Sequence, residues 1–200
     1  MDISEGLKFP MKDKDWTKKV IIGGILNIVP IVNFISYGYS LEVMKLVISG
    51  KETLPEWDNF GSKFIRGLVG IIISVIYLII PIIVMMVFIS MGHRGLNIVG
   101  ILVGGILMII FGFAIPMALA NYVAKDSFGA AFEFSEIINR IKSVFGEYLV
   151  CYIVVIVLSL IVGAISVIPF IGWIIGAILE FYVALVYAYY FGNLYAKSSP

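Results

Sequence analysis

Val20-Ile21-Ile22-Gly23-Gly24-Ile25-Leu26-Asn27-Ile28-Val29-Pro30-Ile31-Val32-Asn33-Phe34-Ile35-Ser36-Tyr37-Gly38-Tyr39-Ser40 contains no Asp, Glu, Lys or Arg; Lys19 precedes it and Glu42 is the next ionic group. A helix of about 20 apolar residues crosses the hydrocarbon of a bilayer, so this stretch decides the class of the chain. Three further runs, Gly67–Gly92, Gly95–Ala124 and Tyr148–Leu179, are interrupted by Pro or Gly but by no acidic side chain, Lys or Arg. In lipid only helices and closed barrels satisfy their own backbone. Barrel strands alternate polar and apolar over roughly 10 residues, and these runs are continuous. The expectation is an all-α, polytopic membrane helical bundle, with residues 1–200 forming a single membrane domain.

Composition agrees. The chain is 61% hydrophobic and 14% charged, where soluble domains hold about 45–50% and 25%. A net charge of +1, with basic residues scattered along the flanks of apolar runs, gives no basic face for nucleic acid. The single cysteine, Cys151, permits neither an internal disulfide nor a multi-cysteine metal site and reads as a small packed hydrophobe. No cofactor or metal is implied. The first apolar stretch is too long for the core of a signal peptide, and no small-x-small cleavage site follows it, so it is expected to be retained.

Whether Val20–Gly50 is one tilted helix or a hairpin decides between five and six spans. Pro30-Ile31-Val32-Asn33-Phe34 resembles Pro169-Phe170-Ile171-Gly172-Trp173: a Pro, two apolar residues, a turn former and an aromatic. Pro disfavours helix at the residue before it, and Asn or Gly accepts a left-handed turn. Six spans put all the Lys and Arg except Arg94 on one side; five divide them almost evenly. Lys and Arg prefer short cytoplasmic loops. The reading is therefore six transmembrane helices, at about residues 18–33, 34–50, 66–90, 96–124, 146–168 and 171–196, in the cytoplasmic membrane with both termini in the cytoplasm. The first two are short, and Lys18, Lys19 and Lys45 are placed to snorkel to the interface.

Three segments are expected on the cytoplasmic membrane surface: the tail 1–17, with Ser4 as a possible cap, and amphipathic segments at 51–64 and 128–145. In the last, Phe134, Ile137, Ile138, Ile141, Val144 and Phe145 fall at helical spacing, and Glu136 to Arg140 is a favourable i,i+4 pair. Trp57, Phe60 and Phe64 suggest a similar segment at 51–64. Its Glu52, Glu56, Trp57 and Asp58 form a candidate surface for a cytoplasmic protein partner. Three carboxylates without a ligand-loop pattern do not indicate a metal.

Asp15-Trp16, Lys18-Lys19, Gly23-Gly24, Gly38-Tyr39, Glu42-Val43, Gly50 and above all Leu54-Pro55-Glu56-Trp57-Asp58-Asn59-Phe60-Gly61 make the chain resemble the archaeal and bacterial membrane proteins grouped as domain of unknown function 4013. The resemblance covers nearly the whole chain. It implies a multi-span protein of the cytoplasmic membrane and transfers no site.

Every fourth residue of the last span is Gly172, Gly176, Glu180, Ala184, Ala188 and Gly192; of the fourth, Gly100, Gly104, Met108, Gly112, Pro116, Ala120 and Ala124. Such stripes let helices approach closely in lipid, and the two helices are expected to pack tightly, with each other as one candidate pairing. Glu180 interrupts one stripe near mid-membrane, where an ionised carboxylate is costly unless paired. It is a candidate functional residue, as is Glu42 with Lys45 as a possible partner. His93, beside Arg94, reads as a solvated loop residue. No catalytic triad, zinc-protease motif or phosphate loop occurs, so nothing points to an enzyme. The first reading is a structural or regulatory membrane component with a cytoplasmic interaction surface. The alternative is a small permease or channel that uses Glu180 and Glu42 on a small solute. A cavity reaching Glu180 distinguishes them. No substrate or oligomeric state follows from the sequence.

Overall fold

The computed structural model describes residues 2–92 and 94–200; His93 lies outside them. Among the described residues eight α-helices follow one another: α1 (Ile3–Lys8), α2 (Trp16–Ile28), α3 (Asn33–Ile48), α4 (Phe60–Ser90), α5 (Arg94–Lys125), α6 (Phe134–Ser143), α7 (Phe145–Ser166) and α8 (Ile171–Lys197), with 3-10 turns at Phe9–Lys12 and Phe128–Phe132. Among the described residues there is no strand.

Helices α4, α5, α7 and α8 are long and apolar enough to cross a bilayer. They are paired as hairpins, α4 with α5 and α7 with α8. In α4 the buried side is Lys63, Gly67, Gly70, Ile73, Tyr77 and Pro81, a stripe at the three-to-four-residue spacing of one helix face. Ile72, Val75, Ile79, Ile83 and Met86 point outward, as befits a surface solvated by hydrocarbon. Pro81 and Pro116 stand inside α4 and α5, which spanning helices tolerate because neighbours re-satisfy the freed backbone. The centre of the bundle is the second half of α8, where Phe181, Leu185, Val186, Ala188, Tyr190, Phe191 and Leu194 are buried against α2, α3 and α7.

α2 and α3 form a third, shorter hairpin. At 13 and 16 residues they extend roughly 20 and 24 Å. The turn is at Val29–Val32; Asn33 is already the first residue of α3. The left-handed residue is Ile31 (φ 72), and in the matching turn Phe170 (φ 63). Each directly follows its proline, so neither Asn33 nor Gly172 serves as the turn former. A positive φ is strained for a bulky side chain, and both side chains stand exposed at the tips of their turns. Gly172 is required for another reason: a Cβ there would stand 2.3 Å from the carbonyl oxygen of Ile165.

The two small-residue stripes do not face each other. Gly100 and Gly104 admit Phe88 and Met85 of α4, Gly172 and Gly176 admit α7, and Gly192 lies against the Met44 carbonyl and Val47 of α3. The tightest crossing is elsewhere, between α3 and α4. A Cβ on Gly38 would lie 1.7 Å from the Lys63 carbonyl oxygen, and one on Gly67 1.9 Å from that of Phe34.

Residues 51–59 contain no regular helix. Pro55 pushes Leu54 toward extended backbone, and the segment crosses the bundle as a strap rather than as a surface helix. α6 buries Ile137 and Ile141, leaves Phe134 and Ile138 exposed, and pairs Glu136 with Arg140 at 2.9 Å. In the tail the cap of α1 is Asp2, which accepts from the Ser4 amide; Ser4 itself does not cap. The tail is seated on α8: the Tyr182 hydroxyl donates to the Leu7 carbonyl at 2.6 Å and that of Tyr190 to Ile3 at 2.7 Å.

Candidate functional site

Between α2, α3, α7 and α8 lies an open-sided cavity of about 400 Å³, lined by Asn27, Ser36, Tyr37, Ser40, Val155, Ser159, Glu180, Phe181, Val183, Ala184 and Tyr187. α8 supplies the floor. Glu180 and Ala184, one turn apart, occupy the stretch of its small-residue stripe between the α7 contact at Gly176 and the α3 contact at Gly192. Small residues at this spacing keep the floor low, and Glu180 is the long side chain that rises from it. It is exposed, and among the described residues nothing hydrogen-bonds or pairs with its carboxylate.

The walls are polar in a particular way. Ser36 donates its proton to the Gly23 carbonyl at 2.9 Å, and Ser40 to that of Tyr37 at 2.7 Å. Both hydroxyl oxygens keep acceptor lone pairs. No Lys or Arg lines the cavity. A second cavity, about 320 Å³ between α4, α5 and α6, is lined almost entirely by apolar side chains, among them Tyr77, Phe111 and Phe134.

Glu42 and Lys45 are not part of the Glu180 cavity. They do not pair with each other either: Lys45 binds Asp126, while Glu42 lies 3.2 Å from Lys63 and 3.7 Å from Arg66. Neither cation reaches the buried Glu42 Oε2 in hydrogen-bond geometry, so these are ion pairs alone. The ammonium of Lys63 also meets Asp58 Oδ1 at 2.9 Å and the Asp58 carbonyl at 2.7 Å.

The strap carries the other candidate residues, and each is tied to its own chain. Glu52 takes Lys12 at 2.6 Å and the Tyr189 hydroxyl at 3.2 Å. Glu56 pairs at 2.7 Å with Lys19, a buried lysine that also binds Asp13 at 2.9 Å and the Leu54 carbonyl at 3.2 Å. Trp57 Nε1 donates to the Lys19 carbonyl at 3.0 Å, and the Tyr39 hydroxyl to Pro55 at 2.7 Å. The Trp57 ring stacks on Tyr39, centroids 4.2 Å apart, and lies 5.8 Å from Phe181. Phe181 also lines the cavity, so this aromatic cluster stands between strap and cavity. Hydrogen bonding from Lys63 holds the Asp58 carboxyl below the usual carboxylate range, and hydrogen bonding to Glu52 raises Lys12.

Asn27, Ser36 and Ser40 are visible in the sequence as polar interruptions of the charge-free stretch. Lys19 and Lys63 are visible only as flanking charges; that they are buried follows from partners up to 37 residues away. Among the described residues no group of His, Cys, Asp and Glu could hold a metal ion.

The family described as "Protein of unknown function (DUF4013)" matches residues 22–175, a span that runs from within α2 through the strap and α7 to the start of α8. The chain belongs to this family. A curated relative, "Uncharacterized protein MJ1189" of Methanocaldococcus jannaschii, is 31% identical over 154 residues, covering 70% of this chain and 52% of the relative. The chain thus spans about half the length of the relative it matches. No solved structure matches. Glu180 lies beyond the matched span of the family, whereas Glu42, Lys45 and the strap lie within it.

Proposed function

We propose that the protein is a small permease of the cytoplasmic membrane, with Glu180 as its solute-binding group. The observation that carries this reading is the unpaired Glu180 side chain rising into an open-sided cavity whose largely apolar walls carry the polar groups of Asn27, Ser36, Ser40 and Ser159. Hydrocarbon does not solvate a carboxylate, so an acid in this setting calls for water, a bound solute or a partner group. The chain crosses the membrane six times with cytoplasmic termini, which keeps nearly all Lys and Arg on the cytoplasmic side. α2 and α3 are the short pair, and α6 lies as an amphipathic helix at that interface. The strap closes the same end, so the cavity is reached from the cytoplasm once the Trp57 stack opens. Glu42 serves structure rather than binding, since it is matched to Lys63 and Arg66.

The alternative, a docking platform for a basic partner, is supported less well. Glu52, Glu56 and Asp58 are each neutralised by a lysine of the same chain. Purified protein in liposomes decides between the two. Solute flux that disappears in Glu180→Gln supports the permease. Absence of flux, together with co-purification of a cytoplasmic protein that depends on Trp57, supports the platform and overturns it.

A further inference from the structure

We infer that the solute taken at Glu180 is a small protonated amine; this rests on the permease reading and names its substrate class. The cavity presents one carboxylate and no cationic side chain. An anionic ligand would meet an uncompensated like charge in a low-dielectric setting. A carboxylate accepts but does not donate, and the Ser36 and Ser40 protons are already given to backbone carbonyls, so their free capacity is also for accepting. Asn27 adds a side-chain carbonyl beside its amide N–H groups, and Ser159, Tyr37 and Tyr187 bring hydroxyls that can accept or donate. A ligand that supplies several N–H donors and one positive charge satisfies this wall; a primary ammonium carries three such donors.

Size and donor set exclude the simpler cations. Calcium takes six to eight oxygens with several carboxylates, and magnesium a tight octahedron, whereas a single carboxylate is present. At about 400 Å³ the cavity falls within the range of small-molecule sites, roughly 300–1,000 Å³, and is far larger than a bare ion. Apart from these polar groups the walls are apolar or aromatic: Val155, Val183, Ala184, and the ring faces of Tyr37, Phe181 and Tyr187. They suit a short hydrocarbon body, and the aromatic faces attract a cation. The ion pair with Glu180 forms inside the membrane, which strengthens it relative to water.

The test is calorimetric titration of wild-type protein in nanodiscs with propylammonium, tetramethylammonium, propionamide, propionate and sodium. Propylammonium is expected to bind most tightly, tetramethylammonium more weakly, and the other three not at all. Glu180→Gln is expected to weaken propylammonium about tenfold or more, the loss of one charge-assisted hydrogen bond. Should Glu180→Gln fail to fold, the wild-type order of ligands decides alone, and Ala184→Trp, which fills the cavity, provides the second variant. Binding of propionate, propionamide or sodium in preference to propylammonium overturns the amine and leaves the permease standing. No binding by any probe, together with no flux, overturns the permease reading itself.

Discussion

The ammonium of Lys63 lies 3.2 Å from the carboxylate of Glu42, with the lysine side chain 1% exposed and the glutamate side chain 27% exposed. Removing one member of a well-buried pair costs about 3–5 kcal/mol. Here Arg66 remains 3.7 Å from Glu42 and Asp58 is largely open to solvent, so Lys63→Met is expected to lose about 1–3 kcal/mol. Thermal unfolding in detergent measures it. Glu42→Gln should be milder in the Lys63→Met background than alone, with a coupling of about 1 kcal/mol; strict additivity would dismiss the pair.

Gly38 and Gly67 set the spacing of α3 and α4, and a side chain at either meets backbone that cannot rotate aside. Gly67→Ala should destabilise by about 1–3 kcal/mol or prevent assembly. Gly105→Ala, in α5 with nothing within 4 Å, should be neutral or slightly stabilising, because Ala is the better helix former by up to about 1 kcal/mol. Equal yields and melting temperatures for the two variants would contradict the crossing.

Trp57 separates the strap end from the cavity. In a Cys151→Ser background, a cysteine replacing the buried Ser40 should react slowly with a polar thiol reagent added from the strap side. Trp57→Ala should raise that rate about fivefold, since an aromatic stack is worth roughly 1 kcal/mol and its loss shifts the local opening equilibrium accordingly. An unchanged rate would mean that the stack does not guard the cavity.

The strap should be insensitive to pH over a wide interval. Hydrogen bonding from Lys63 depresses the Asp58 carboxyl below its ordinary 3.8. A depressed acid contributes stability above its unfolded value and loses it as pH falls through the folded one. Hydrogen bonding to Glu52 raises Lys12 above 10.5. That contribution is complete below 10.5 and is lost as pH rises through the raised value. With Trp16 and Trp173 replaced by Phe, Trp57 emission should stay flat from about pH 5 to pH 10 and change only outside those limits. A transition near neutrality would show that other groups hold the strap.

A membrane-impermeant reagent applied from outside should label a cysteine at Ile31, the exposed tip of the α2–α3 turn, in the Cys151→Ser background. Labelling only after permeabilisation would mean that the hairpin enters and leaves by the cytoplasmic face.

Much of this organisation is legible before folding. The two prolines mark their turns because Pro excludes helix from the residue before it, and α2 ends at Ile28 as Pro30 demands. Which residue takes the positive φ is not local information: it falls on the bulky Ile31 and Phe170, not on Asn33 or Gly172. The strap has a local signature in Pro55, but the aromatic spacing of Trp57, Phe60 and Phe64 imitates a surface helix. What holds the strap extended, Lys19 and Tyr39, lies 16 residues or more away in sequence. Glu180 stands out as an acid in an apolar run. Its cavity could not be drawn from sequence, because Asn27, Ser40 and Ser159 converge only when three helices meet α8.

The hydroxyls of Tyr182 and Tyr190 reach back 175 and 187 residues to the carbonyls of Leu7 and Ile3. On a ribosome, the segment Ile3–Leu7 must therefore wait for α8 before it finds its seat. α2, whose Gly23 receives Phe181 of the same helix, waits with it. Insertion of α8 completes both contacts. A chain halted before it would display an unfinished α2–α3 hairpin and a loose tail, the kind of exposed, unassembled surface that membrane quality control could read as a defect.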